Sequence, residues 1–348
     1  MLNKFKFSLP SLKLKTKLPK ERYALGLDIS VYSLKLVALR FFKDNTEVSG
    51  FSIEPAGLDV VPALKRMTAN TEIKSVNISV SGAGSIIRYI SFPQMNSGEL
   101  KQALKFEAQK HIPFSIQEVY TDACILEENL GESKMLVLLA AAKKEMVNQR
   151  RKIIEEAGLK TNLVDLDSLA LINAFNYTSA QENASAEQKA IALLNIGAHT
   201  SNLNIIEGRI PHLSRDIHIA GNSFTQSLAD NLSLDFKSAE NIKLNSLQDG
   251  LDKTERIMEP VLTNLANEIR VSFDYYESQS ASSVSKIFLS GGGSKLLGLK
   301  ETLANLLGIE VDYWDPLERL TISASVDVQR VKAAASQLAV AVGLAFRE

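Results

Sequence analysis

YALGLDISVYSLKLVALRF, residues 23–41, reads as a strand, a tight turn and a second strand. Leu25, Leu27 and Ile29 alternate with other residues, Ser30 to Ser33 make the turn, and Leu34, Leu36 and Ala38 alternate again. That period of two is the pattern of half-buried strands. AIALLNIGAHTSNLNIIEG, residues 190–208, has the same shape. Placing Asp28 over Asn195 puts Ser30 on Gly197 and Ser33 on Thr200, all at an offset of 167 residues. A hairpin that recurs at half-chain distance points to two related halves.

Outward from these hairpins, strands and helices alternate. Residues 76–93 contain a strand pair around Ser81-Gly82-Ala83-Gly84, ending at Phe92-Pro93. A helix follows from Gly98 to Lys110, with Leu100, Leu104, Ala108 and His111 at helical spacing, and Pro113 stops it. Residues 119–126 and 134–142 read as strands, and 144–157 as a helix capped by Gly158. Leu163 to Leu166 is a short strand, and Asp167 or Ser168 can cap the helix after it. Residues 178–189 are small and polar and read as a loop. In the second half, a helix starts at 236–245, and Met258, Val261, Leu262, Leu265, Ile269 and Phe273 mark one apolar face of a long one. Ile287 to Leu289 is a buried strand that runs into Ser290-Gly291-Gly292-Gly293-Ser294 and then a helix through Leu306. Ile309 to Tyr313 is a strand, and residues 330–345 a terminal amphipathic helix. The class is α/β with mixed sheets.

Bulk properties narrow the functions. At about 150 residues per domain, 348 residues make roughly two domains. An apolar content of 45% excludes wholesale disorder. Lys and Arg total 39 against 40 Asp and Glu, a net charge of -1, so a whole-chain basic nucleic-acid binder is not expected. A single cysteine, Cys124, excludes a disulfide framework and a cysteine-rich zinc site. No apolar run reaches the roughly 18 residues of a membrane span, and Ala333 to Phe346 is too short. The N-terminus has no apolar signal core, so a cytoplasmic location is expected. Residues 1–22 carry seven basic residues and one acidic, a charge of +6 that leaves -7 for the rest. Lys4, Lys6, Lys13, Lys15 and Lys17 interleave with Phe5, Phe7 and Leu9, and Pro10 and Pro19 argue against one continuous helix. The expectation is a basic flexible tail drawn to the anionic inner leaflet at about 1 kcal/mol per basic residue, with Phe5 and Phe7 at the interface.

Three turn-bearing segments are the site candidates. A turn between strands can offer backbone N–H groups to a phosphate, helped by the hydroxyls of Ser30, Ser33, Thr200 and Ser201. Asp28, at a strand end, can hold a magnesium-bound water, and Lys35 can reach a phosphate as a point charge. Gly291, Gly292 and Gly293 let a ligand approach the backbone closely, with a helix N-terminus just behind. His111, His199, His212 and His218 show no metal spacing, Cys124 sits in an apolar strand pattern as a core residue, and Arg215 with Asp216 is expected to form a surface pair.

Together these segments resemble the actin, FtsA and sugar-kinase ATPase superfamily. More closely, the chain resembles the PilM family, the actin-like cytoplasmic proteins of type IV pilus assembly, over residues 23–348. The resemblance is carried in order by LGLDISVYSLKLVAL, IIRYISFPQMNSGELKQALKFEAQKHIPFSIQEVYTDACIL, LVLLAAAKKEMVNQRRKIIEEAGLK, VDLDSLALINAF, LLNIGAHTSNLNIIEGR, KSAENIK and IFLSGGGSKLLGLKETLANLLGIEV. The second block, with Arg88, Pro93, Glu107 and His111-Ile112-Pro113-Phe114, has no counterpart in actin or sugar kinases.

The resemblance implies an actin-like ATPase fold: two lobes around a nucleotide cleft, with an FtsA-like inserted subdomain. Residues 1–22 are then the tail, 23–83 the first-lobe core completed by 161–190 and 332–348, and 84–160 the insertion. Residues 191–235 with 287–331 form the second-lobe core, and 236–286 its helical subdomain. It also implies ATP and Mg2+ as ligands. Asp28, Ser30, Ser33 and Lys35 match the first phosphate hairpin, and Asn195, Gly197, Thr200 and Ser201 the second. Gly221 matches the glycine after it. Glu240 and Lys243 match the pair flanking adenine and ribose, and Gly291 to Gly293 the adenosine-side turn. Two residues depart from the family: Ser30 stands where Gly is usual, and Asn195 where Asp is usual. Ser30 adds a side chain where backbone meets phosphate, and a neutral amide cannot act as a base or offset a metal's charge, so ATP binding is expected to survive weakly or not at all and turnover to be negligible. The implied role is an adaptor at the inner face of the inner membrane that binds the cytoplasmic N-terminal tail of a PilN-like bitopic protein, alongside other pilus assembly proteins. Homo-oligomerisation is left open. The competing functions are an actin-like ATPase that forms filaments or drives a motor, a small-molecule kinase, and a related scaffold of a type II secretion or MSHA-type pilus system.

Overall fold

The hairpin of residues 23–41 forms in a register set by its alternation. β1 (Arg22–Ile29) and β2 (Ser33–Phe41) pair antiparallel, with Asp28 opposite Lys35 and Leu27 opposite Leu36. The computed structural model describes residues 21–179, 189–245 and 251–347. The tail residues Lys4, Phe5, Lys6, Phe7, Lys13, Lys15 and Lys17, and most of the loop read at 178–189, lie outside the described residues. The chain divides into two units, residues 1–178 with 317–333 and 340–348, and residues 179–316 with 334–339.

In the first unit, β3 (Thr46–Pro55) pairs with β2, α1 (Val61–Met67) follows, and β4 (Ser75–Val80) runs parallel to β1. β5 (Ser85–Pro93), α2 (Ser97–His111), β6 (Val119–Gly131) and β7 (Lys134–Lys143) then build a separate three-stranded sheet in the order β5-β7-β6. Leu100 and Ala108 of α2 are buried against that sheet with Phe92, Met135, Val137 and Leu139. α2 starts where its sequence can cap it. The Asn96 side chain accepts from the Gly98 and Glu99 N–H groups, and the Glu99 carboxylate accepts from the Asn96 N–H at 2.8 Å. It stops at His111 because Ile112 precedes Pro113 and is extended. α3 (Lys144–Glu156), β8 (Lys160–Leu166) and α4 (Asp167–Thr178) complete the run, with β8 parallel to β4. Ile154, Ala157 and Leu159 share a core with Leu25, Leu27, Val76 and Ile78. α3 therefore covers the main sheet, and the inserted sheet ends near Lys143 rather than at residue 160.

The second unit repeats the main sheet. β9 (Ala190–Ile196), β10 (Ser201–Glu207) and β11 (Ile210–Ile217) are followed by α5 (Gly221–Leu232), α6 (Phe236–Asn245) and α7 (Leu251–Gln279). β12 (Val284–Ser290), α8 (Leu299–Leu307) and β13 (Glu310–Tyr313) close it, in sheet order β11-β10-β9-β12-β13. That order and its strand directions copy β3-β2-β1-β4-β8. The offset of 167 holds at the level of single bonds. Asn195 faces Asn202 as Asp28 faces Lys35. The Ser30 N–H donates to the Ser33 carbonyl at 3.1 Å, and the Gly197 N–H to the Thr200 carbonyl at 3.1 Å. The core of this unit joins Leu194, Ile196 and Leu203 of the sheet to Phe224, Leu265 and Ile269 of the helices.

The end of the chain departs from its sequence pattern. β14 (Thr321–Ile322) pairs parallel with β3, so residues 317–331, expected in the second lobe, belong to the first unit. The single helix read at 330–345 is broken into α9 (Val328–Ala334), a 3-10 turn over Ala335–Leu338, and α10 (Ala339–Ala345). The turn gives the Ser336 carbonyl to the Gly291 N–H at 2.7 Å. α10 then lies on β1 and α4 at backbone contact. A Cβ on Gly26 would sit 2.0 Å from the Ala341 oxygen, and one on Gly343 1.7 Å from the Ala170 oxygen. The Asn77 amide donates to the Leu344 and Arg347 carbonyls at 2.8 and 2.9 Å. Arg347 Nε lies 2.7 Å from Asp165 Oδ2, both side chains being buried. Burial pushes the Asp165 carboxyl up, against the downward pull of the Arg347 charge.

Gly26→Ala or Gly343→Ala should lower the unfolding free energy by about 3 kcal/mol, since the backbones must part. Gly50→Ala, whose Cβ would meet only the Ala38 side chain at 3.8 Å, should change it by less than about 1 kcal/mol. Urea midpoints at matched slopes are the measurement.

Candidate functional site

The first hairpin brings Asp28, Ser30, Ser33 and Lys35 together. Asp28 and Lys35 are directly opposed across β1 and β2, which puts Lys35 Nζ 2.7 Å from Asp28 Oδ2 with both side chains about nine-tenths buried. Asp28 also acts on a second cation, Arg150 of α3. Burial pulls that guanidinium down, and the charges of Asp167 and Asp28 hold it up. Ser30 is turned inward: its hydroxyl donates to the Ser33 carbonyl at 2.8 Å and accepts from the Ser33 N–H at 3.1 Å. The N–H groups of Ser30 and Ser33 are thus both used to close the turn, while Val31 and Tyr32 at its tip are exposed.

The second hairpin carries a polar ladder across four strands. Ser290 Oγ donates to Asn195 Oδ1 at 3.2 Å, Asn195 Nδ2 to Asn202 Oδ1 at 3.2 Å, and Asn202 Nδ2 to Asp216 Oδ1 at 2.6 Å. These residues stand opposite one another in the register of β12, β9, β10 and β11, so their side chains share one face. Asp216 is therefore not the partner of Arg215. Neighbours in a strand point to opposite faces, and Arg215 instead meets Glu268 of α7 at 2.5 Å and Ser272 Oγ at 2.9 Å. Gly197 is required by the turn, because a Cβ there would lie 2.8 Å from the Thr200 oxygen. The Gly197 and Ala198 carbonyls accept the Gly221 and Asn222 N–H groups at 3.0 and 2.7 Å, so the turn caps α5. The Ser201 hydroxyl, buried, donates to the Ile219 carbonyl at 2.6 Å.

Glu240 and Lys243 lie on one face of α6, with Lys243 Nζ 2.7 Å from Glu240 Oε2. Lys243 also donates to Thr225 Oγ1 at 2.8 Å and to the Gly221 carbonyl at 3.0 Å, and Thr225 bonds Glu240. The pair is tied to α5 and, through Gly221, to the second hairpin. Gly291 and Gly293 serve close packing within the protein. A Cβ on Gly291, at φ +86°, would sit 2.3 Å from the Ile196 oxygen, and one on Gly293 2.5 Å from Ile196 Cγ2. Gly292 faces only the Gln337 side chain, at 3.7 Å. A 3-10 turn, Gly292–Lys295, follows the glycines, and α8 begins only at Leu299, six residues past Gly293. Asn195, Gly197, Gly221, Glu240, Lys243 and the glycine turn thus form one connected cluster within the second unit.

Sequence reasoning missed Arg150, Asn202 and Thr225, and named Asp216 and Ser290 without their place in the ladder. Asn202 was reachable by adding 167 to Lys35; the others depend on register and helix packing between distant segments. A magnesium ion does not fit the positions that the resemblance assigns to it. Asp28 is paired with Lys35, Asn195 is neutral with both amide heteroatoms bonded, and no cluster of three or more metal-ligating side chains occurs among the described residues.

Comparison with known proteins places this geometry. The family model described as type IV pilus assembly protein PilM matches residues 26–348. The chain belongs to the PilM family. A solved PilM-PilN type IV pilus biogenesis complex is 28% identical over 93% of this chain and 98% of that one, with a TM-score of 0.81. Ethanolamine utilization protein EutJ from Carboxydothermus hydrogenoformans, at 15% identity, covers 94% of this chain and 90% of its own with a TM-score of 0.55, a likeness of fold alone. The fold is the actin-like ATPase fold, and this PilM-family chain is a type IV pilus assembly protein. Among the described residues, no helix is long and apolar enough to cross a membrane. Cys124, expected in the core, is only half-buried; its partial burial, with the charge of Asp122, pushes its thiol up to about 12.

Lys243→Met should destabilise the protein by about 2–4 kcal/mol, because Glu240 is left without its cation in a largely buried place. Lys243→Met with Glu240→Gln should recover at least half of that loss. Urea denaturation of the three proteins checks both expectations.

Proposed function

We propose that this protein is an adaptor of type IV pilus assembly that grips the cytoplasmic N-terminal tail of a PilN-like membrane protein. The observation that carries this is the similarity to the PilM-PilN complex over nearly the whole of that chain. In the first unit, β5 and β6 are the outer strands of the inserted sheet, and the segments near 76–93 and 100–126 would line the groove. An extended tail can add backbone hydrogen bonds to such strands and set a few side chains into apolar pockets. Peripheral association with the inner face of the inner membrane follows from that partner, and the basic residues Lys4 to Lys17 would favour it.

A nucleotide, ATP in the first instance, would act as a conformational ligand and not as a fuel. Glu240, Lys243 and Thr225 supply acceptors and donors suited to ribose and base, next to the backbone of Gly221. The hydrolytic side is weak. Asn195 cannot take a proton from water, and Asp28 is neutralised by Lys35.

A labelled N-terminal peptide of the PilN-type protein from the same genome should bind the full chain saturably in fluorescence anisotropy, at micromolar or tighter affinity. Absence of binding with and without ATP would overturn the adaptor function. Steady-state phosphate release should stay below roughly one per minute. A coupled phosphate assay showing clearly faster release would restore the motor.

A further inference from the structure

The main sheet of the first unit opens at the end away from Asp28. β1 and β4 are neighbours, yet their register begins only at Gly26 opposite Asn77. Arg22 to Leu25 of β1, and Ser75 and Val76 of β4, come before that point with no register partners across the gap. On the other side of β4, Val76 faces Thr161 and Asn77 faces Leu163, so Asn162 is an extra residue in β8, a bulge at the same level. A cavity of about 200 Å³ occupies the opening. It is lined by residues 22–25, Ser75, Asn77, Asn162 and Arg347, all of the first unit. That is far more room than one water needs. A strand edge without ladder partners also calls for polar groups from elsewhere.

The lining is rich in donors. Arg22 and Arg347 bring two guanidinium groups, and no carboxylate side chain lines the cavity. The side-chain amide of Asn77 is fully engaged: its NH2 donates to the Leu344 and Arg347 carbonyls, and its Oδ1 accepts from Asn162 Nδ2 at 2.9 Å. That leaves the second N–H of the Asn162 amide, and the Ser75 hydroxyl, without a hydrogen-bond partner among the described residues. Asp165 balances the charge of Arg347, so Arg22 supplies the net charge. Its guanidinium carbon lies 4.2 Å from the centre of the Phe41 ring, and stacking by the face keeps the N–H groups in the plane of the fork.

We propose that this cavity binds a phosphate group. The proposal is independent of the nucleotide reading above. Guanidinium forks match a phosphate oxyanion in charge and geometry. A metal cation would meet the charge of Arg22, and an apolar ligand would leave that charge and the Asn162 N–H buried without acceptors. The phosphate can come free in solution or on the headgroup of an anionic lipid, since Arg22 directly follows the basic stretch Lys4 to Lys20 in sequence.

Isothermal titration of the full chain with inorganic phosphate, at constant ionic strength set by chloride, should show a saturable site with a dissociation constant of about 1 mM or tighter. Arg22→Gln and Asn162→Leu should each weaken it at least about fivefold, the second without any change of charge. Lys43→Gln, which removes an exposed cation outside the lining, should change it by less than about twofold. No saturable binding, or binding that Arg22→Gln and Asn162→Leu leave unchanged, would overturn the site. If Arg22→Gln fails to fold, Ser75→Val takes its place beside Asn162→Leu under the same criterion. Co-sedimentation with phosphatidylglycerol and phosphatidylcholine vesicles separates the two sources. Phosphatidylglycerol binding that free phosphate competes away, and that the weakened variants lose, names the lipid headgroup. Vesicle binding that is indifferent to the variants, while they lose inorganic phosphate, names a soluble phosphate.

Discussion

The first unit depends on a contact that tolerates no side chain. α10 meets β1 where Gly26 has only hydrogen, and meets α4 where Gly343 does. Such closeness turns a short helix of small residues, AVAVGLA, into one wall of the main sheet. It also brings the last carbonyls of the chain within reach of the Asn77 amide, and carries Arg347 to Asp165. A buried ion pair is seldom a net source of stability, since desolvation costs about as much as the attraction returns. Here it fixes where the chain end goes: an unpaired Asp165 or Arg347 would be far more costly than the pair. Covered by α1 and α3 on one side and by α4 and α10 on the other, the main sheet has a fixed β1, and the turn from Ser30 to Ser33 projects from that fixed strand.

The same backbone plan is used twice, so comparing its copies separates what the plan needs from what each copy adds. Both turns close with an N–H to carbonyl bond three residues on, at the same length. In one the small residue is Gly197, which has no room for a Cβ; in the other it is Ser30, whose side chain folds back and reinforces the closure. The rung below differs more. An ion pair and an amide pair are both neutral overall, but they respond differently to an approaching anion: the first can surrender its cation, whereas the second is held at both ends.

How much was legible in the sequence follows from what sets each feature. The hairpins, the offset of 167 and the long apolar face of α7 are local patterns, and they read directly. β3 and β11 did not. TEVSGFSIEP and IPHLSRDI interleave polar residues and a proline or glycine, as befits strands toward the margin of a sheet, and they dilute the alternation. The break between α9 and α10 carries no glycine or proline to mark it, and the Ser336 carbonyl there accepts from the Gly291 N–H, far away in sequence. The glycines of the SGGGS turn were legible as glycines but not as to purpose. Two of the three make room for Ile196. Asn195 was legible as a departure, yet its consequence lies in Ser290, Asn202 and Asp216, which register alone brings beside it.

The proposed adaptor asks for no hydrolysis from a fold usually associated with it, and the energetics say why. On the proposed reading, a partner that adds backbone hydrogen bonds along β5 or β6 would gain its affinity from the inserted sheet. A ligand at a rung can alter that affinity only by the difference in its own affinity for the two states of the protein. Hydrolysis would add direction and repetition, which a motor needs and a clamp does not. Asn195, tied into a ladder of four residues, offers no base and keeps the end of the sheet polar. On the proposed reading, the scaffold's state would depend on whether a nucleotide is bound and not on its being consumed.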